Sequence, residues 1–272
     1  MPLYLIFLLA FTQGFTEFLP ISSQGHLIIV NKFFSYEYET ILSTLEINIY
    51  AHFGSLLAVS FIYNNQLLSF IKSLKMVIRP DLDSDAFLLN HIIISTLPII
   101  LIGFFFAKFF DYEQESLLFI IGLTSIVFGF LILFIDKFCL RIKNENALTV
   151  QLSFTIGLFQ CLALCPGVSR SGALLTIMRF LGFRREFSVL FSNLLSIPVI
   201  LGAVCYLVVK NFNSLSFHNI ISFDVILLII LSFIFSLFFI FFFINWVKKF
   251  SLSIFAFYRI ILGISLLVYF YK

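Results

Sequence analysis

Two short stretches of this chain crowd together polar groups that could handle phosphate. In the first, Gln13, Glu17, Ser22, Ser23 and His26 fall within residues 13–26. Gln13 and Glu17 are four apart and share a helical face. Pro20 stops that helix, and Ser22 or Ser23 suits the cap of the next one. A carboxylate, two hydroxyls and an imidazole so close together could act as base, nucleophile or metal ligand. The second stretch reads Pro166-Gly167-Val168-Ser169-Arg170-Ser171-Gly172. Gly167 permits unusual backbone dihedrals, and a helix starting near Ser171 would offer free N–H groups and a positive dipole end. Arg170 adds a planar, permanently charged fork matched to phosphate oxygens, and Ser169 and Ser171 add hydroxyl donors. Together the stretches hold the groups that phosphoryl transfer or phosphate-ester hydrolysis requires.

The elements that must position these groups are membrane helices. Of 272 residues, 61% are hydrophobic and only 11% charged, and 40 are Phe. Soluble domains carry about 25% charged residues, and the mean hydropathy here is +1.10. That excludes a water-soluble enzyme, a DNA-binding domain, a coiled coil and a disulfide-stapled domain. It also predicts an all-α polytopic membrane protein in which 1–272 form a single integral-membrane domain. Full-length spans are expected near 47–64, 91–110, 116–135, 187–209, 223–246 and 253–271. Two more apolar stretches, about 2–31 and 148–182, are interrupted by the polar motifs. Each half is too short for a bilayer that needs about 20 helical residues. Irregular backbone at membrane depth survives only inside protein or beside a wet cavity. These two stretches are therefore expected to be re-entrant helical hairpins, beside six transmembrane helices.

Charge orients the model. The basic loops holding Lys72, Lys75 and Arg79, and Lys137, Arg141 and Lys143, flank an acidic loop with Asp111, Glu113 and Glu115. The positive-inside rule places the basic loops in the cytoplasm. Arg184, Arg185, Lys248 and Lys249 join them if the second broken stretch returns to its own side. Lys32, Lys108, Lys210 and Lys272 then lie outside, and Asp81, Asp83 and Asp85 dilute the first loop. The first hairpin enters from outside and the second from the cytoplasm, each followed by three spans. That is an inverted-topology repeat of about 1–136 and 148–272, with its functional site near the middle of the membrane. The pattern Pro20-x-Ser22-x-x-Gly25 against Pro166-x-x-Ser169-x-x-Gly172 supports it.

The segments Gln13-Gly14-Phe15-Thr16-Glu17-Phe18-Leu19-Pro20-Ile21-Ser22-Ser23-Gln24-Gly25-His26-Leu27 and Pro166-Gly167-Val168-Ser169-Arg170-Ser171-Gly172-Ala173 closely resemble the two signature motifs of the undecaprenyl-diphosphatase family, the bacitracin-resistance type. The resemblance covers essentially the whole chain. It implies hydrolysis of undecaprenyl diphosphate to undecaprenyl phosphate and phosphate, which recycles the lipid carrier of cell-wall synthesis. It further implies a divalent cation, Mg²⁺ or Ca²⁺, a bacterial inner-membrane location and a site facing the periplasm. Position by position, it implies catalytic roles for Glu17, Ser23, His26 and Arg170. Ser169, Ser171 and Gly167 would bind phosphate beside Arg170. Glu17 and Gln13 would hold the metal, although many members carry Glu where this chain has Gln13. Ser22, Glu46 and Glu186 are secondary candidates. The nucleophile is left open among His26, Ser23 and water.

The expected partners are a polyprenyl diphosphate lipid and the membrane lipids, with no nucleic acid; a homodimer is compatible with the sequence. Cys161 and Cys165 read as small-residue packing rather than metal ligands. His52 and His91 read as hydrogen-bonded core histidines, Arg259 as a partner of backbone carbonyls or lipid heads, and Phe238 to Phe243 as lipid-facing bulk. The alternative from another class is a lipid-phosphate transporter or flippase, since inverted repeats are transporter architecture. Nucleophiles beside an anion site favour the enzyme.

Overall fold

The computed structural model describes residues 1–34, 44–79, 82–109, 114–210 and 222–271. Asp81, Asp111, Glu113 and Lys272, used above for topology, lie outside the described residues, as do the side chains of Lys108, Glu115 and Lys210. Among the described residues there are eleven α-helices: α1 (Leu3–Thr16), α2 (Ser23–Phe34), α3 (Thr44–Ile62), α4 (Asn64–Ser73), α5 (Ser84–Phe109), α6 (Gln114–Phe138), α7 (Val150–Gln160), α8 (Arg170–Phe180), α9 (Arg185–Lys210), α10 (Phe223–Lys249) and α11 (Ser253–Phe270). The only extended pairing among them is an isolated bridge between Lys143 and Phe183.

Among the described residues, five helices are long and apolar enough to cross a membrane: Ser84–Phe105, Ser116–Phe138, Arg185–Val209, Phe223–Lys249 and Ser253–Phe270. The chain is thus a multi-pass membrane protein. The stretch expected to span at 47–64 is the shorter apolar helix Glu46–Ile62. It stops at Ile62 because Tyr63 leaves helical geometry, at φ −100 and ψ 23, before the polar pair Asn64-Asn65 opens α4. Conversely, α5 starts well before residue 91, because the Asp83 carboxylate accepts the N–H groups of Asp85 and Ala86 and so caps its first turn.

The broken segments fold as helix pairs. α1 ends before Pro20 and α2 begins at Ser23; α7 ends at Gln160, passes through a short 3₁₀ turn, and α8 begins at Arg170. Their surroundings correspond. α1 packs on α10 and α7 on α5, while α3 packs on α10 and α9 on α5. Both first contacts depend on glycine. A Cβ at Gly14 would stand 2.5 Å from Phe235 Cβ, and one at Gly157 would stand 2.5 Å from the Ser95 carbonyl oxygen.

The ends of these pairs can be located. The Met1 amino group meets Asp224 at the start of α10, and Lys32 at the end of α2 lies 6.0 Å from the ring of Tyr269, near the end of α11. The first pair therefore begins and ends together. At the opposite end, Ile142 and Lys143 donate to the Gly182 carbonyl and Arg184 donates to Lys143, joining the exits of α6 and α8. Asp136 closes that end. It accepts from Arg179 Nε at 3.0 Å, from Arg185 Nε and Nη2 at 2.8 and 2.7 Å, and from the Leu252 N–H at 3.1 Å.

Phe238, Phe241 and Phe242 of α10 are exposed, as lipid-facing bulk would be, but Phe243 is buried. It packs edge-on against Phe255, because helical spacing turns Phe239, Ile240 and Phe243 towards neighbouring helices.

Candidate active site

A cavity of about 160 Å³ opens between the two broken segments, lined by Glu17, Ser22, Ser23, Gln24, His52, Gly167, Ser169 and Arg170 together with apolar residues of α9 and Ala163 and Cys165. Glu17 follows α1 directly, and its N–H still bonds the Gln13 carbonyl. Ser23 is the first residue of α2. The turn between them holds Ser22 at φ 72, a left-handed conformation unusual for a residue with a side chain. The Ser22 hydroxyl accepts the Gly25 N–H at 3.3 Å. The second segment repeats this device: Ser169 lies at φ 70 and its hydroxyl accepts the Gly172 N–H at 3.2 Å. Gly167, at φ 88, fits where a Cβ would collide with Thr124 Oγ1 at 2.2 Å.

The carboxylate is the hub. Ser23 Oγ donates to Glu17 Oε2 at 2.7 Å, and Gln13 Nε2 donates to the same oxygen at 3.2 Å. Arg170 Nη2 reaches Glu17 Oε1 at a long 3.3 Å, and its Nη1 reaches the Ser192 carbonyl at 3.4 Å. A guanidinium held this loosely keeps donors for an incoming anion. Gln13 is fully buried; its Nε2 also reaches Ser55, while its Oε1 has no partner among the described residues.

The other sequence candidates are placed differently. His26 does not line the cavity. Its Nδ1 bonds the Ser22 carbonyl at 2.7 Å, and its Nε2 meets the Tyr258 hydroxyl at 2.6 Å, with the two rings stacked. A carbonyl only accepts, so Nδ1 carries the proton and Nε2 accepts from Tyr258. Ser171 is buried and gives its hydroxyl to the Leu19 carbonyl at 2.7 Å, which pins one segment to the other. Glu46 is buried outside the cavity lining. Glu186 is largely exposed and 3.8 Å from Arg184.

One residue was missed from the sequence. His52, read there as a core histidine, lines the cavity with Nε2 3.5 Å from Glu17 Oε2, while its Nδ1 bonds the Asn48 carbonyl at 2.7 Å. The usable signal was the polar stripe Asn48, His52, Ser55 at helical spacing on an otherwise apolar segment. His91 does behave as a core histidine, bonding the Phe87 carbonyl. None of the four cysteines is in a disulfide, and no group of three or more His, Cys, Asp or Glu side chains suited to a metal exists among the described residues.

A family model described as "Bacitracin resistance protein BacA" matches residues 6–265. Among curated proteins, an undecaprenyl-diphosphatase of Pelagibacter ubique is 38% identical over 268 residues, covering 98% of this chain and 97% of its own. Undecaprenyl-diphosphatases of Aliivibrio salmonicida, over 97% and 96% of the two chains, and of Leptospira interrogans, over 96% of each, are both 34% identical.

Proposed function

Since the chain belongs to the bacitracin resistance protein BacA family, we propose that its cavity is the site where undecaprenyl diphosphate is dephosphorylated, and we assign the steps as follows. The protein is an undecaprenyl-diphosphate phosphatase; the transport alternative has no support in these matches. The observation that carries the assignment of roles is the 2.7 Å hydrogen bond from Ser23 to Glu17 facing Arg170 across one cavity. It is a nucleophile–base pair beside an anion clamp.

Arg170 and the free N–H groups at the start of α8 bind the diphosphate and stabilise charge on the phosphoryl group in transfer. Ser23 Oγ attacks the terminal phosphorus as Glu17 takes its proton, and undecaprenyl phosphate leaves. Glu17 gives that proton to the departing undecaprenyl phosphate. Water then attacks the phosphoseryl group as Glu17 takes its proton and passes it to the leaving Ser23 oxygen, so that phosphate departs and both side chains are restored. His52 Nε2, next to Glu17, can share that proton. His26 positions α2 through Ser22 and Tyr258 rather than attacking.

The donors present suit a divalent cation held jointly with substrate. Glu17 supplies one carboxylate and Gln13 an amide oxygen that lacks a partner, and Mg²⁺ commonly takes one or two carboxylates plus substrate phosphates and water. Such an ion would neutralise charge on the diphosphate.

In the membrane, α1–α2 and α7–α8 are re-entrant hairpins of two inverted repeats, with α3 as the sixth span. Support comes from the corresponding packing of α1 on α10 and α7 on α5, and from the opposite ends at which the two pairs begin and finish. The end carrying Asp136, Lys137, Arg141 and Arg185 faces the cytoplasm of the inner membrane, and the cavity serves the periplasmic side. The test is phosphate release by the purified protein from undecaprenyl or farnesyl diphosphate with Mg²⁺, Ca²⁺ or EDTA, beside Arg170→Ala. Metal-dependent release that the variant loses is expected; no release from folded protein would refute the assignment.

A further inference from the structure

Arg259 of α11 is fully buried and forms no ion pair among the described residues. A buried cation without a counter-charge is strongly unfavourable unless fixed dipoles surround it. Here those dipoles are main-chain carbonyls. Nη1 donates to Pro20 at 3.1 Å and Val168 at 2.9 Å; Nη2 donates to Gly167 at 2.9 Å and Thr124 at 3.5 Å. One side chain therefore grips the turn of each broken segment and the middle of α6. The two turns are those in which Ser22 and Ser169 hold left-handed backbone, a conformation that persists only where the surroundings impose it.

Peptide geometry carries this further. Across a planar trans peptide the carbonyl and the next N–H point in opposite directions. With the Val168 carbonyl bound to Arg259, the Ser169 N–H faces the other way. The N–H groups of Ser169, Arg170 and Ser171 donate to no backbone carbonyl among the described residues. Gly167, Ser169 and Arg170 line the cavity, whereas Arg259 does not.

We propose that Arg259 is a positioning residue for the hydrolysis: it keeps the Glu17–Ser23 pair opposite Arg170 and aims the Ser169 N–H at the diphosphate as a further donor. The role rests on the phosphatase reading above and extends it to a residue outside both motifs. Lysine at 259 would retain the charge but could not fork between two turns. Displacing catalytic groups by about 1 Å can lower turnover about 10²-fold.

The experiment measures kcat, KM and thermal midpoint of the full-length protein in detergent with undecaprenyl diphosphate. Arg259→Lys is expected to lower kcat on the order of 10²-fold with KM within about twofold, at temperatures well below the variant's own midpoint. Gly172→Ala is a second, gentler variant, because its Cβ would come within 2.8 Å of Arg259 Nη1 and 3.1 Å of Ser169 Cβ and so press the guanidinium away from the turn it holds. It is expected to lower kcat about tenfold and to have no further effect in the Arg259→Lys background. Wild-type kcat per folded molecule in either single variant, or losses that multiply fully in the double variant, would overturn the positioning role. Absence of hydrolysis by the unmodified protein would instead overturn the phosphatase assignment.

Discussion

Two buried carboxylates, Asp136 and Glu17, form ion pairs with arginine, and the two sites are built to opposite ends. At the basic end Asp136 receives both Arg179 and Arg185, while Arg179 also reaches the carbonyls of Cys139, Leu140 and Phe183. Between the broken segments, Glu17 meets Arg170 at 3.3 Å, and among the described residues Arg170 has one other hydrogen-bond partner, the Ser192 carbonyl. The first pair is saturated and joins α6, α8, α9 and the start of α11. The second borders a cavity and keeps donors in reserve. Both carboxylates are buried and ion-paired; the arginine's spare hydrogen-bonding capacity separates the site that borders a cavity from the one that ties helices together.

This contrast predicts different consequences for damage at each pair. The largest effects fall on turnover at the cavity. Ser23→Ala should reduce phosphate release on the order of 10³-fold or more, and Arg170→Lys, which loses the fork, on the order of 10²-fold. Thermal midpoints should scarcely move, and near-normal turnover of Arg170→Lys would remove the bidentate role. At the basic end the signs exchange. Asp136→Asn strands the buried Arg179 and the half-buried Arg185 and should lower stability by about 3–5 kcal/mol, read by denaturation in detergent, while kcat per folded molecule stays the same. A loss of kcat with an unchanged midpoint would erase the distinction.

Ser22→Ala sharpens the contrast within one turn. Its hydroxyl caps Gly25 and touches no reacting group, so the loss is one helix cap, about 1 kcal/mol, and turnover should suffer less than in Ser23→Ala. The reverse order would show that the wrong serine has been assigned. The smallest effect lies outside the membrane-spanning helices. The Ala86 N–H and the Ser73 hydroxyl hold the Asp83 carboxyl below its usual range. Its contribution is complete above the unfolded value of about 3.9 and disappears as pH falls through the lower folded value. The midpoint difference between wild type and Asp83→Ala should therefore be flat from about pH 8 to 5 and narrow only in stronger acid. A difference that widened on acidification would contradict this cap.

Much of the helix plan was readable because apolar runs and charged loops announce themselves locally. The interrupted segments were readable because Pro20 and Pro166 sit beside clustered polar residues. Glu17, Ser23 and Arg170 could be chosen for the same reason, and the structure does line one cavity with them. His52 was hidden because a single imidazole on an apolar helix looks like any core histidine until its neighbour across the fold is known. The surroundings of His26 were equally hidden, since Tyr258 comes from a helix at the far end of the chain. So was the commitment of the Ser171 hydroxyl to Leu19. Local periodicity specifies helices; it does not specify which distant partner uses up a donor.

The amide at position 13 has a consequence for the resting state between turnovers. With Gln13 donating to Glu17, the cavity sets one carboxylate, Glu17, against one guanidinium, Arg170. A glutamate at 13 would leave an excess negative charge that only a proton or a cation could balance. Under the proposal that a divalent ion serves this site, the ion would not be needed to balance the Glu17–Arg170 pair and would arrive and depart with the substrate's phosphates.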